Sequence, residues 1–316
     1  MEKRELGRSG IKVSPLAFGG NVFGWTIDEK TSFEVLDAFV DNGFDLIDTA
    51  DVYSTWKPGN KGGESETIIG NWLKKSGKRD KVIIATKVGK EMGPGMEGLS
   101  KAYITKAVEA SLSRLKTDHI DLYLSHDDDK STPLAETLET YTDLIKQGKV
   151  RAIGASNYTA DRLKQALEIS DETGLASYQI AQPEYNLYAR EGYEKELEPV
   201  CREYGLGVIT YFSLASGFLT GKYRSEADLG KSQRGGGMKK YMNDRGFKIL
   251  KALDEVDLEY KSTPASVAIA WVIARPGITA PIASATSIKQ LKDIIAATQL
   301  NLSAESIKLL NKASSY

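Results

Sequence analysis

The sequence contains very few of the residues that build disulfides and metal sites. Among its 316 residues there are one cysteine, Cys201, and two histidines, His119 and His126. A single cysteine excludes an internal disulfide and any metal site made of several thiolates. Two histidines exclude a histidine-rich zinc or di-iron centre. The sequence therefore predicts no metal site of these kinds.

Long apolar runs and an excess of one charge are also missing. The longest strongly apolar run, residues 265–274, is too short to span a bilayer, and residues 1–10 lack the apolar stretch of a signal peptide. Lys and Arg total 42 against 43 Asp and Glu, a net charge of -1, which argues against nucleic-acid or membrane binding through bulk charge. We expect a cytoplasmic protein with a small-molecule substrate as its partner, and the sequence does not indicate an oligomeric state.

Eight short apolar runs alternate along the chain with segments of helical periodicity. The runs are apolar at nearly every position, as parallel strands buried on both faces are. They cover residues 16–20, 44–50, 82–88, 120–126, 150–156, 179–185, 207–213 and 278–284. The helical segments place apolar residues three and four apart. They cover residues 31–42, 64–75, 100–115, 133–147, 161–173, 193–204, 246–261, 264–274, 287–297 and 303–314.

This alternation predicts an α/β fold, a (β/α)8 TIM barrel, in a single domain that covers residues 1–316. Residues 3–13 read as a β-hairpin that turns at Ser9-Gly10 and closes the bottom of the barrel. A doubly wound sheet is the structural alternative, but no GxGxxG motif follows a predicted strand. Three long loops follow strands and are therefore expected on the active-site face, at residues 52–63, 89–99 and 222–245.

Four polar residues lie at or just after the carboxyl ends of predicted strands: Asp48, Tyr53, Lys87 and His126. A lysine that ends an apolar strand needs a partner, and Asp48 on the neighbouring strand can provide it. A tyrosine beside that cation should have a lowered pKa, which predicts Tyr53 as general acid or base. His126 can donate a hydrogen bond to a substrate carbonyl oxygen.

Other interpretations of these residues stay open at this point. A Lys–Asp pair at a barrel rim is often structural, and the acidic run Asp127–Asp129 fits a metal site or a solvated turn that starts a helix. A glycosidase with paired carboxylates would use Asp48 and one acid of that run. Such an enzyme would leave Lys87 and Tyr53 without a role.

Seven motifs stand out in order along nearly the whole chain. They are RELGRSG at 4–10, GFDLIDTADVY at 43–53, IIATK at 83–87, SLSRLKTDHIDLYLSH at 111–126, GKVRAIGASN at 148–157, QPEYN at 182–186 and YFSLASGFLTGK at 211–222. Together they resemble the motifs of the aldo-keto reductase superfamily. The similarity is greatest to the branch that contains bacterial reductases and potassium-channel β subunits.

The resemblance implies an NADP(H)-dependent oxidoreductase, with NAD(H) also possible, that interconverts carbonyls and alcohols or sugars. It implies a catalytic tetrad of Asp48, Tyr53, Lys87 and His126. It further implies that the cofactor contacts Ser156, Asn157, Gln182, Tyr211, Leu214, Gly217, Leu219, Lys222, Ser284, Thr286, Gln290 and Asp293. A nucleotide-sensing binding protein is the alternative from another class, because channel β subunits use this fold as a partner module.

Two features bear on the cofactor. Ser284-Ala285-Thr286 stands where many relatives have Gly-Ala-Arg, so the cation nearest a 2′-phosphate becomes Lys289 and NADP(H) is expected to bind more tightly than NAD(H). Residues 222–245 contain seven basic and three acidic residues and a Gly-Gly-Gly run. This segment is expected to be mobile alone and to close over a pyrophosphate.

Overall fold

The computed structural model describes residues 2–316, and a closed barrel of eight parallel strands lies at its centre. The first barrel strand pairs with the last, which closes the cylinder. In chain order, and also in neighbour order around the barrel, the strands are β3 (Ala17–Gly19), β4 (Leu46–Asp48), β5 (Ile83–Val88), β6 (Ile120–Ser125), β7 (Val150–Ser156), β8 (Ile180–Gln182), β9 (Gly207–Thr210) and β10 (Ala280–Ala283). The predicted (β/α)8 barrel is confirmed.

Helices surround the barrel, and local capping explains where many of them begin. Asp28, Ser100, Thr159, Asn243 and Thr263 each accept a hydrogen bond from a backbone N–H in the first turn of the helix that follows. The helices are α1 (Glu29–Asp41), α2 (Glu64–Ser76), α3 (Lys101–Leu115), α4 (Leu134–Lys146), α5 (Ala160–Thr173), α6 (Glu198–Glu203), α7 (Asp244–Tyr260), α8 (Pro264–Ile273), α9 (Ile288–Ala296) and α10 (Ala304–Ala313). Within residues 2–316, no helix combines the length and apolarity needed to cross a membrane.

Alternation along each strand divides the apolar residues into two cores. Ile47 and Ile84 belong to the outer core, between the strands and the helices, whereas Leu46 and Ala85 belong to the inner core of the barrel. Side chains two residues apart on a strand point to the same side. Asp48 and Lys87 therefore share the inward direction of Leu46 and Ala85 and meet at the upper end of the barrel.

The predicted N-terminal hairpin is present as β1 (Arg4–Glu5) and β2 (Lys12–Val13). Three of its apolar side chains, Leu6, Ile11 and Val13, belong to the inner core and cover the bottom of the barrel. Gly7 has a φ of +58°, and a Cβ there would lie 2.4 Å from the carbonyl oxygen of Gln179. Only glycine allows the hairpin to approach the strand ends this closely.

Two segments differ from the prediction. The helix expected at 193–204 is a π-helix over Gly192–Leu197 that continues into α6, and α6 has Pro199 in its first turn, where a missing N–H is tolerated. The loop expected at 222–245 contains two stretches of 3-10 helix, Glu226–Lys231 and Gly235–Tyr241. Two hydrogen bonds from the Arg224 guanidinium to the Asp254 carboxylate connect this segment to α7.

Asp121, at the start of β6, joins three strands near the bottom of the barrel. Its side chain is buried and accepts hydrogen bonds from the guanidinium groups of Arg79 and Arg151 at 2.9 and 2.7 Å. It also accepts a hydrogen bond from the backbone N–H of Ile84 at 2.9 Å. One carboxylate thus satisfies two cations and one backbone donor.

Asp121→Asn should lower the free energy of unfolding by about 3 kcal/mol, because both guanidinium groups lose a charged acceptor and one meets an amide donor. Urea denaturation of the two proteins at equal pH measures the difference. Asp118→Asn, at an exposed position three residues earlier, serves as the matched control and should leave stability unchanged. Equal stability of Asp121→Asn and the unaltered protein would contradict this role.

Candidate active site

The four residues predicted at the strand ends lie together at the mouth of the barrel. Lys87 is fully buried, and its Nζ lies 2.7 Å from Asp48 Oδ2 and 2.7 Å from the carbonyl oxygen of Thr49. The same ammonium donates to the Tyr53 hydroxyl at 3.2 Å. The Tyr53 and His126 rings meet edge to face, with centroids 5.7 Å apart.

Electrostatics at the mouth keep Lys87 charged and Tyr53 protonated. Burial alone disfavours the Lys87 cation, but Asp48 and Tyr53 together raise the pKa of Lys87 above its usual value. The pKa of Tyr53 is also raised, because burial opposes ionisation more strongly than Lys87 favours it. The sequence-based expectation of a lowered Tyr53 pKa is therefore wrong for this structure. A phenol that stays protonated is the form that a proton donor needs.

His126 is a neutral imidazole in this environment. Burial, with Lys87 and Lys90 nearby, lowers its pKa well below the usual value. Its Nδ1 is enclosed and has no hydrogen-bond partner in the described structure. A neutral ring beside Tyr53 can offer one N–H to an oxygen atom without adding a charge to the site.

Residues at or just after the carboxyl ends of β7, β8 and β9 form a second polar group beside the tetrad. The Gln182 side chain donates to Asp48 Oδ1 at 2.9 Å, and Ser156 donates to the carbonyl oxygen of Gln182 at 2.9 Å. Asn157 has a φ of +58°, donates to the carbonyl oxygen of His126 and accepts from the Tyr211 hydroxyl, both at 2.8 Å. Sequence reasoning assigned these residues to a cofactor and did not find their contacts with the tetrad.

The chain turns sharply at the rim after β9. Ala215, Ser216 and Gly217 all have positive φ, and they lie between half-buried Leu214 and exposed Lys222. Leu219, by contrast, is fully buried in the outer core, so its side chain does not reach the surface of the rim. The rim here offers backbone groups and a lysine rather than the Leu219 side chain.

Past β10, the expected adenosine-side residues occupy the start of α9. Gln290 Oε1 accepts hydrogen bonds from both the N–H and the hydroxyl of Thr286. Ser287 caps α9, and Asp293 lies one turn further along the helix. Ser284 donates to Asn21 Oδ1 at 2.8 Å, a contact between the segments that follow the last and the first barrel strands, and sequence reasoning missed it.

The rings of Trp25, Tyr53 and Trp56 form an aromatic wall on one side of the barrel mouth. The Trp56 ring meets Tyr53 and Trp25 edge to face at centroid distances of 5.6 and 5.5 Å, and the Trp56 side chain is 45% exposed. The Arg234 guanidinium lies 4.9 Å from the centre of the Trp25 ring. The segment 222–245, which follows β9, therefore extends past the end of β10 to the aromatic wall.

The acidic run Asp127–Asp129 is engaged by neighbouring protein groups. Asp127 pairs with Lys90 at 3.1 Å and Asp128 with Arg162 at 2.9 Å. Asp129 accepts from the Leu99 backbone N–H and from two hydroxyl groups, which lowers the pKa of its carboxyl. In the described part of the chain, no group of three or more His, Cys, Asp or Glu side chains could hold a metal ion. These acids connect loops at the rim.

The arrangement at the barrel mouth suits proton donation to an oxygen atom placed against the Tyr53 hydroxyl. A phenol beside a fixed cation and a neutral imidazole can both donate hydrogen bonds there. Asp48 is the counter-charge that allows the cation to be buried.

Comparison with known proteins agrees with this geometry. The family model described as "Aldo/keto reductase family" matches residues 15–315. An uncharacterized oxidoreductase of Bacillus subtilis, YrpG, is 37% identical over 98% of this chain and 95% of its own length, and the aldo-keto reductase YhdN of the same organism is 33% identical over 98% and 93%. A probable voltage-gated potassium channel subunit beta of Arabidopsis thaliana is 33% identical over 93% and 90%. The resemblance inferred from the motifs is confirmed, and the chain belongs to the aldo/keto reductase family.

Proposed function

We propose that this oxidoreductase transfers a hydride between NADP(H) and the carbonyl carbon of an aldehyde or ketone, or runs the reverse reaction on an alcohol or sugar. The observation that carries the proposal is the Lys87 ammonium, which lies between Asp48 and the Tyr53 hydroxyl. A fully buried cation in contact with a protonated phenol has the chemistry of a proton-donating site.

The residues beside the tetrad fit a dinucleotide. Ser156, Asn157 and Gln182 supply hydroxyl and amide groups of the kind that bind a carboxamide, and Tyr211 supplies an adjacent aromatic face. Gly217 and Lys222 at the rim suit the approach of a pyrophosphate, because the glycine leaves the backbone accessible and the lysine adds positive charge. Ser284, Thr286, Gln290 and Asp293 would surround the adenosine end.

The bound nicotinamide supplies the hydride, and the protein handles the proton and the charge. Tyr53 donates its proton to the oxygen that becomes the alkoxide. Lys87 then stabilises the phenolate that remains, and Asp48 keeps Lys87 charged. Neutral His126 donates a hydrogen bond that orients the carbonyl oxygen. In the oxidation direction Tyr53 is the base.

The aromatic wall indicates the shape of the substrate. Trp56 and Trp25 offer flat apolar surfaces next to Tyr53. Aldehydes with an apolar body and sugar rings both pack against such surfaces.

A nucleotide-sensing binding protein is the second candidate, because several relatives carry the name of a potassium channel subunit. That candidate would bind NADPH without turning over a carbonyl.

Tyr53→Phe should abolish turnover and leave NADPH affinity nearly unchanged, since the hydroxyl acts on the transferred proton and not on the dinucleotide. With a panel of aldehydes, the unaltered protein should consume NADPH, seen as loss of the reduced-nicotinamide absorbance, and kcat should fall roughly 10²- to 10⁴-fold in the variant. Tyr193→Phe, which removes an enclosed hydroxyl without a hydrogen-bond partner, is the control. Near-normal kcat in Tyr53→Phe would exclude Tyr53 as the proton donor, and NADPH binding without any turnover would favour the sensing protein.

Lys87→Met should be equally inactive and should lower the free energy of unfolding by about 3 kcal/mol, because Asp48 is left as a buried charge without its cation. The double variant Lys87→Met/Asp48→Asn removes that charge. It should regain much of the lost stability and none of the activity. Chemical denaturation and the NADPH assay on all three proteins separate the two roles, and an active Lys87→Met protein would refute both.

NADP(H) should bind more tightly than NAD(H), and the difference should shrink as salt rises, because the preference depends on the exposed cation Lys289 near the start of α9. Lys289→Gln should reduce the NADP(H)/NAD(H) affinity ratio roughly two- to fivefold. Lys292→Gln, an exposed lysine one turn along the same helix, should leave the ratio unchanged. Dissociation constants at low and high ionic strength decide this, and equal affinities of the unaltered protein for both cofactors would refute the preference.

A further inference from the structure

Asp51 lies on the segment that carries Tyr53, but its side chain is outside the proton-donating group. The backbone continues the pairing of β4 with β5 past the end of the strand. The Thr49 N–H donates to the carbonyl oxygen of Ala85 at 2.8 Å, and the Asp51 N–H donates to that of Lys87 at 3.2 Å. Any displacement of Asp51 therefore disturbs its hydrogen bond to the Lys87 backbone and moves the segment that carries Tyr53.

The Asp51 carboxyl lies among the side chains that pack β4, β5 and β6 against α2 and α3. It is 1% exposed, and neither of its oxygens has a hydrogen bond of good geometry in the described structure, the adjacent Val52 N–H being its nearest backbone donor. The titratable or charged groups around it are Glu66 from α2, Tyr103 and Arg114 from α3, Tyr141 from α4, Tyr123 from β6, Lys87 from β5 and Tyr53 on its own segment. The Tyr123 hydroxyl is likewise enclosed and without a partner.

Both nearby cations are already committed to other acceptors. Arg114 Nε donates to Glu66 Oε2 at 2.7 Å, and its Nη2 donates to Ser111. Glu66 Oε1 accepts from the Thr86 hydroxyl at 2.6 Å. Lys87 is bound to Asp48, Thr49 and Tyr53. An ionised Asp51 would therefore be a second carboxylate beside Glu66 without a cation of its own.

Burial and the Glu66 carboxylate raise the pKa of Asp51 to about 8, although the Val52 backbone N–H, Arg114 and Lys87 act in the opposite direction. The protein therefore holds Asp51 as a neutral acid at neutral pH. A charge at Asp51 would also disfavour the phenolate of Tyr53, because an Asp51 carboxylate is one of the causes that raise the Tyr53 pKa.

We propose that Asp51 is a positioning residue that must remain an uncharged carboxylic acid for Tyr53 to work beside Lys87. Its ionisation places an unpaired charge between the barrel and α2, displaces the segment that carries Tyr53, and disfavours the Tyr53 phenolate. The link to turnover rests on the proposed function. The charge state of Asp51 does not, and it is tested separately below.

The kinetic test compares the unaltered protein with Asp51→Asn, which resembles the neutral acid in shape and charge. In the unaltered protein, kcat/KM should begin to decline near pH 8. One pH unit above that it should be roughly tenfold below its value at neutral pH, because it follows the fraction of Asp51 that stays protonated. Asp51→Asn should keep near-normal kcat/KM at pH 7 and lose this alkaline decline. Asp45→Asn, a buried acid near the bottom of the barrel, is the matched control and should retain the decline.

Stability supplies a second readout that does not need turnover. The folded protein keeps a proton on Asp51 between pH 4 and 8, whereas the unfolded chain has lost it. The unfolded state binds fewer protons in this window, so the contribution of Asp51 to stability falls as pH rises from about 4 to about 8 and is level above that. The difference in unfolding free energy between Asp51→Asn and the unaltered protein should grow across the same window.

Infrared spectroscopy observes the acid directly, even if Asp51→Asn does not fold. At pH 7 the unaltered protein should show the carbonyl stretch of a protonated carboxylic acid, and this band should disappear as pH rises past 8. If the band is absent at pH 7, or if folded Asp51→Asn keeps the same alkaline decline and stability slope, the proposal is overturned. If the band and the slope behave as expected but no carbonyl is reduced, the assignment of Asp51 as a neutral acid stands and the proposed function fails.

Discussion

The candidate site depends on a lysine that is buried and still charged. A buried ammonium is strongly unfavourable unless a counter-charge and hydrogen-bond acceptors surround it. Lys87 finds Asp48, the Thr49 carbonyl and Tyr53 because β4 and β5 are neighbours in register and both side chains point into the barrel. From the far side of the barrel, Gln182 occupies the second oxygen of Asp48. The remaining donor of Lys87 then points at Tyr53, which places a fixed cation beside the phenol that we propose as the proton donor.

The barrel and the grouping of Asp48, Tyr53, Lys87 and His126 at its mouth could be predicted because both follow from local patterns. The catalytic roles of these four residues remain predictions. Strands buried on both faces are apolar throughout, and a polar residue at such a strand end stands out, as Lys87 does after Ile83–Ile84–Ala85. The contact between Gln182 and Asp48 has no such signal, since it joins residues 134 positions apart across the barrel. The single-domain boundary of 1–316 and the cofactor contacts remain predictions.

The direction of the Tyr53 pKa shift could not be obtained from sequence, because two opposing causes act on the phenol. Proximity to Lys87 lowers the pKa and is visible from strand order. Burial under the rim loops raises it and is visible only once the loops are folded. The π-helix at Gly192–Leu197 and the two 3-10 stretches within residues 222–245 were missed for a related reason. Helical periodicity does not distinguish them, and contacts such as that of Arg234 with Trp25 form only in the folded chain. The expected mobility of residues 222–245 and their closure over a pyrophosphate remain predictions.

Asp48 and Asp51 show how strand geometry gives one residue type two chemical states. They are three residues apart, so they point to opposite sides of the barrel wall. Asp48 points inward and forms an ion pair with the Lys87 cation. Asp51 points outward, where Arg114 already serves Glu66, and burial raises its pKa to about 8. The short segment between β4 and Tyr53 thus has a charge on its inner side that the proposed chemistry requires, and a neutral acid on its outer side that holds it in place. The charge balance on both the inner and the outer side of the barrel wall therefore helps to position Tyr53. The outward-facing Asp51 belongs to the site as much as the inward-facing Asp48 does.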